Sequence, residues 1–177
     1  MHIINSFLET EKTRAGWRFW IVWVVLTYIG FFVGLTVSEL LSSRLGYRLL
    51  SATISAVIIG FFTGLTQSVA LSRHKISRLG WIAATTIGWT AGIMMAGLII
   101  FNIFPYVLVN NLFYWILPSA FVAGFVVGIA QMFILWPLWR GKSIWWIPIS
   151  TVGWGIQFPG IFPGLFLARW LKSNKQE

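Results

Sequence analysis

The sequence has no cysteine, which excludes disulfides and thiolate chemistry and leaves the redox compartment undetermined. It has only four acidic residues and two histidines in 177 positions. A nucleophile with its base and orienting group cannot be assembled from so few scattered groups, and a metal site lacks its ligands. The expectation is a non-enzymatic chain with no catalytic residue, no cofactor and no metal. Charge of either sign is missing from residues 19–38, 49–72, 79–139 and 143–168. Each gap reaches the ~20 apolar residues that a helix needs to cross ~30 Å of hydrocarbon, and the third is long enough for two crossings.

What the chain does contain is apolar: 58% hydrophobic residues and a mean hydropathy of +0.81, with 10% charged. Globular domains carry about 25% charged residues, so the solvent of this chain is the lipid bilayer. A net charge of +9 would suggest nucleic acid in a soluble domain. Here the basic residues sit in short clusters at the ends of apolar runs, where they set topology and meet lipid headgroups, and no nucleic-acid partner is expected.

The pattern reads as an all-α polytopic membrane bundle, a single domain over 1–177 with five transmembrane helices at about 17–41, 49–71, 81–100, 119–136 and 145–171. Ahead of the first lies a polar lead with Ile3, Ile4, Phe7 and Leu8 on one face, readable as a short surface helix or as a frayed tail. The first apolar run is too long for a signal-peptide core and lacks a cleavage site. The stretch between Asn102 and Pro118, with Asn110-Asn111, reads as an interfacial connection. The last segment carries Pro148, Pro159 and Pro163 among four glycines, so it is expected to be broken between Gln157 and Gly164, either kinked or re-entrant.

Gly60, Gly64, Gln67, Leu71 and Trp81 return as Gly124, Gly128, Gln131, Leu135 and Trp145, all 64 residues later. This implies two parallel hairpin repeats, about 49–100 and 113–165, preceded by one helix, with Trp17 as an earlier counterpart of Trp81. Gly60 and Gly64 stand in a ladder of small residues spaced by four, and Gly88 and Gly92 in another; Gly124 and Gly128 repeat the first. Such ladders let helix backbones approach closely in lipid, where packing drives association.

Placing the N-terminus in the cytoplasm puts eight basic residues inside, from Lys12, Arg14 and Arg18 through Arg73, Lys75 and Arg78 to Arg140 and Lys142, with Arg44 and Arg48 outside. The tail agrees only if the last segment re-enters. Trp17, Trp20, Trp81, Trp139, Trp145 and Trp146 would then form an interfacial belt.

Three residues are candidates for a ligand or for interhelical polar contacts. Gln67 and Gln131 lie on glycine faces of equivalent helices and would either present two amides to one polar ligand or bond neighbouring helices. Glu39, the only carboxylate between Glu11 and Glu177, falls about 33 Å along its helix from Trp17, near the far interface, where it can meet water, Arg44 or Arg48. His74 stands in a basic loop with no second ligand nearby, which favours a headgroup neighbour over a metal site.

The G-x-x-x-G-x-x-Q…L device, the basic loop, the Trp that opens the next helix and the pairs Gly88-Trp89 and Gly153-Trp154 resemble small multi-pass membrane proteins of bacteria, many of them cyanobacterial, without assigned activity. The second copy departs from that pattern at Trp136-Pro137. The resemblance implies the bacterial inner membrane, or the thylakoid membrane in a cyanobacterium, and no mechanism. The functional expectation is an interaction or scaffold subunit embedded in the membrane, with other membrane subunits or a second copy as partners. The alternative is a small-solute binding or transport protein with its site between the hairpins.

Overall fold

The computed structural model describes residues 2–42, 48–74, 76–103, 112–156 and 159–173. All regular structure among them is helical, as an apolar chain requires when no water is present to satisfy its backbone. The helices are α1 (His2–Ser42), α2 (Arg48–Ala70), α3 (Arg78–Ile103), α4 (Leu112–Trp139), α5 (Trp146–Gly155) and α6 (Ile161–Ser173), with 3-10 turns at Leu71–Arg73 and Arg140–Trp145. Four stretches are long and apolar enough to cross a bilayer: Trp17–Leu41, Leu50–Ala70, Arg78–Ile99 and Pro118–Gly155. The last is not one straight crossing. It contains α4, the turn at Arg140 and α5, and α5 folds back along α4, with Gly128 against Ile147 and Gly124 against Trp154. The chain is thus an all-helical bundle with the character of a multi-pass membrane protein.

Several boundaries differ from the sequence expectation. The lead before Trp17 is no separate element, because α1 runs unbroken from His2 into the apolar run; the side chains before Trp17 lie outside the described residues. Helix α4 begins at Leu112 rather than near 119 and continues through Pro118, a residue that membrane helices tolerate because neighbours and local adjustment satisfy the freed carbonyl. The Asn110-Asn111 and Arg44-Gly46 connections lie outside the described residues. The fifth segment is two helices, α5 and α6, which turn back on each other between 156 and 160. Pro163 falls in the first turn of α6, where its missing N–H has no intrahelical role.

Each helix packs against the next, and α6 closes the circle on α1. The axis of this ring is filled by side chains from the odd-numbered helices. Trp23 of α1, Trp81 of α3 and Trp146 of α5 meet edge to face, with ring centroids 5.8, 5.8 and 6.4 Å apart. Two turns along, Phe31, Trp89 and Trp154 form a second aromatic layer at 6.1, 5.7 and 4.7 Å. Thr27, Thr85 and Ser150, one turn from each layer, are buried between them. Leu71, in the turn that follows α2, Leu135 of α4 and Leu167 of α6 are fully buried around the first layer. The expected tryptophan belt is corrected accordingly: Trp81, Trp139 and Trp146 belong to this core, while Trp17 and Trp145 are 55% and 63% exposed. A flat aromatic ring is large enough to span the axis between helices whose backbones do not touch, which no aliphatic side chain at these positions would do.

The even-numbered helices fill the gaps between the odd ones through their small residues. A methyl group on Gly60 would stand 2.9 Å from the Cα of Thr86, and one on Gly64 3.0 Å from the Cα of Ile82, both on α3. On the other face of α3, Gly88 and Gly92 sit 2.7 and 2.6 Å from the Cα atoms of Val127 and Ala123 of α4 by the same measure. Gly124 and Gly128 repeat on α5 the contacts that Gly60 and Gly64 make on α3. All six glycines singled out in the sequence are therefore used inside the bundle.

Candidate functional site

The two buried glutamines are the polar centre of the molecule. Gln67 of α2 donates through Nε2 to the hydroxyl of Thr27 on α1 at 3.2 Å and accepts through Oε1 from the indole of Trp81 on α3 at 3.0 Å. Gln131 of α4 donates to Thr85 on α3 and accepts from Trp146 on α5, both at 2.8 Å. Each amide thus ties three consecutive helices. Thr85 can serve as acceptor because its own proton is directed to the carbonyl of Trp81 at 2.8 Å, one turn back.

The helix geometry explains the spacing. Gln67 follows Gly64 by three residues and Gly60 by seven, so all three lie on the face turned to α3. The glycines bring the backbones together, and the amide then reaches the indole from a helix surface only one side chain away. Desolvating an amide without partners costs ~1–3 kcal/mol; here both ends of each amide are engaged.

The structure places the two glutamines in separate junctions, linked through the touching indoles of Trp81 and Trp146. The second junction also corrects the match drawn from the sequence. Trp146, 65 residues after Trp81, does what Trp81 does, and the exposed Trp145 does not. One extra residue in the Arg140–Trp145 turn shifts α5 relative to α4. At that turn Arg140 has φ 46°, and the Ser143 hydroxyl donates to its carbonyl at 2.6 Å. Likewise Trp23, 58 residues before Trp81, is its counterpart on α1, and Trp17 is not. The signal for the shift was present in the sequence, since Gly88-Trp89 and Gly153-Trp154 are also 65 apart.

Glu39 lies in the last turn of α1, exposed and remote from both junctions. His74 packs edge-on against Phe19 at 5.3 Å, so its ring is partly sheltered by α1. Three further polar groups escaped the sequence reading. The indole nitrogens of Trp23 and Trp89 and the hydroxyl of Thr63 are buried with no protein hydrogen-bond partner. Their signal was invisible because tryptophan and threonine are ordinary residues in membrane helices.

Comparison with protein-family models, with curated proteins and with solved structures finds no match.

Proposed function

We propose that the protein is a non-enzymatic scaffold subunit embedded in a bacterial inner membrane, its rigid bundle presenting apolar faces to lipid and to partner helices. The single observation that supports this most is the filled axis. Two aromatic layers, Trp23/Trp81/Trp146 and Phe31/Trp89/Trp154, fill the axis between the helix pairs among the described residues. Both glutamine side chains that could have greeted a solute are engaged by Thr and Trp side chains of the chain itself.

The internal repeat belongs to the same reading. Three helix pairs, α1/α2, α3/α4 and α5/α6, occupy equivalent places, with the third pair cut to half length. Helix α5 has 10 residues, or ~15 Å, half of the hydrocarbon thickness, so α5 and α6 form a re-entrant hairpin. In this reading the end that carries Arg18, Arg78, Arg140, Lys142 and Arg169 faces the cytoplasm. The bacterial setting rests on the motif resemblance alone.

The test is photo-crosslinking in cells from the outward side of α3, at Ile87 and Leu98, which are 65% and 67% exposed, with flux measured on the purified protein in proteoliposomes. A discrete protein adduct from these positions and no saturable solute uptake is the expected result. Saturable uptake that Gln67→Ala and Gln131→Ala abolish would replace the scaffold reading with a transporter.

A further inference from the structure

The bundle has three corners at which an even-numbered helix meets two odd ones, and among the described residues only two of them hold a glutamine. At the third, α6 stands between α5 and α1. A methyl group on Gly160 would stand 2.9 Å from the Cα of Val24 and 3.4 Å from the Cβ of Thr27, as one on Gly64 would meet Ile82 and Thr85 and one on Gly128 would meet Ile147 and Ser150. Gly160 is thus the counterpart of Gly64 and Gly128. Three residues on, where Gln67 and Gln131 stand, α6 carries Pro163, which is buried.

The remaining members of the junction are in place. Trp23 is the counterpart of Trp81 and Trp146, completely buried, yet its indole nitrogen has no protein acceptor. Its pyrrole edge faces α6, since a methyl group on Gly164 would stand 2.6 Å from Cδ1. Ser150, the counterpart of Thr27 and Thr85, is buried on α5. Proline has the three side-chain carbons of glutamine and lacks its amide oxygen and nitrogen. The missing atoms are those that accept from the indole and donate to the hydroxyl at the other corners. Pro163 also supplies no N–H to the carbonyl of Pro159.

We propose that this third corner binds a single internal water molecule, which accepts from Nε1 of Trp23 and donates to the hydroxyl of Ser150, in the role the amide plays elsewhere. Water is the smallest group that both accepts and donates, and buried water characteristically serves polar groups that the protein leaves unpaired. The competing fate of the Trp23 proton is a neighbouring indole ring, because Trp81 and Trp146 both stand edge-to-face with it.

Indole-15N-labelled protein in detergent micelles separates the two, with the Trp23 resonance identified by its loss in Trp23→Phe. The expected result is a downfield indole proton with a cross-relaxation peak at the water frequency. In Pro163→Gln the proton should stay downfield while the water peak disappears, and in Ser150→Ala, the milder change, the water peak should weaken. An upfield proton without water contact in the wild-type spectrum overturns the proposal by itself, whether or not Pro163→Gln folds. A water peak that Pro163→Gln leaves unchanged overturns it equally. None of these outcomes depends on whether the protein is a scaffold.

Discussion

Gln131 is held more tightly than Gln67, by two bonds of 2.8 Å against 3.2 and 3.0 Å, and that difference should be measurable. Gln131→Leu leaves the Trp146 indole as a buried donor without an acceptor, at a cost of about 1–3 kcal/mol. Gln67→Leu strands the Trp81 indole in the same way but gives up longer bonds, so it should cost less, toward the lower end of the range of about 1–3 kcal/mol. Thermal unfolding in one detergent checks the order, and equal losses would remove the argument from distance. A double-mutant cycle of Gln131→Leu with Trp146→Phe should give a coupling of about 0.5–2 kcal/mol, because the second change deletes the donor that the first one strands. At this scale the glutamines were legible as a pair because the same residue recurs beside the same glycines. Their partners were less so. Trp145-Trp146 offers two indoles in a row, and a constant offset of 64 picks the wrong one. Thr27 and Thr85 were hidden by an offset of 58 that no repeated motif announces.

The helices depend on where a methyl group would fit. Gly92→Ala places a carbon 2.6 Å from the Cα of Ala123, a backbone atom that cannot move aside alone, whereas Gly97, on the same helix, has nothing within 4 Å. Gly92→Ala should destabilise by about 1–3 kcal/mol through overpacking, and Gly97→Ala should be neutral or stabilising by up to ~1 kcal/mol from helix propensity. Gly64→Leu, against Ile82 and Thr85, should behave like the first. If Gly92→Ala and Gly97→Ala shift the unfolding temperature alike, close backbone approach is not what α3 needs its glycines for. Small-residue ladders were readable in the sequence because a spacing of four keeps them on one face. Their partner was not readable, since a ladder does not say whether a helix of the same chain or of another fills it. The break near Pro159 was equally plain. It falls between Gly155 and Ile161, overlapping the expected stretch; Pro163, read as interior, lies in the first turn of α6 because a proline counts as interior only once the helix start is known. Just past the break α6 is tied to α1, for the indole of Trp20 donates to the carbonyl of Ile161 at 2.9 Å.

For the molecule as a whole, the decisive consequence of the broken segment is where the tail goes. Helix α6 runs back along α1, with Gly160 beside Val24 and Thr27 and Gly164 beside Trp20 and Trp23, so successive turns of α6 meet earlier turns of α1. Leu167 accordingly reaches the cluster that contains Leu71, Ile76 and Trp139, residues at the end of the bundle where Arg78 opens α3 and the second turn carries Arg140 and Lys142. Five basic side chains at one end of an apolar bundle, counting Arg18 and Arg169, resist transfer across a membrane, and the proposed orientation keeps that end on the side of synthesis. Because the chain has no native cysteine, single cysteines report without background. Cysteines at Lys142 and Ser173 should react from the same side of sealed inverted vesicles, and a cysteine at Asn102, at the far end of α3, should react only after the vesicles are opened. Labelling of Ser173 and Lys142 from opposite sides would mean that α5 and α6 together cross the bilayer once, and the re-entrant hairpin would have to be abandoned. Labelling of Asn102 with Lys142 would instead contradict the crossing of α3 itself, whose apolar stretch of 22 residues spans ~33 Å and leaves little room for both ends to share one surface.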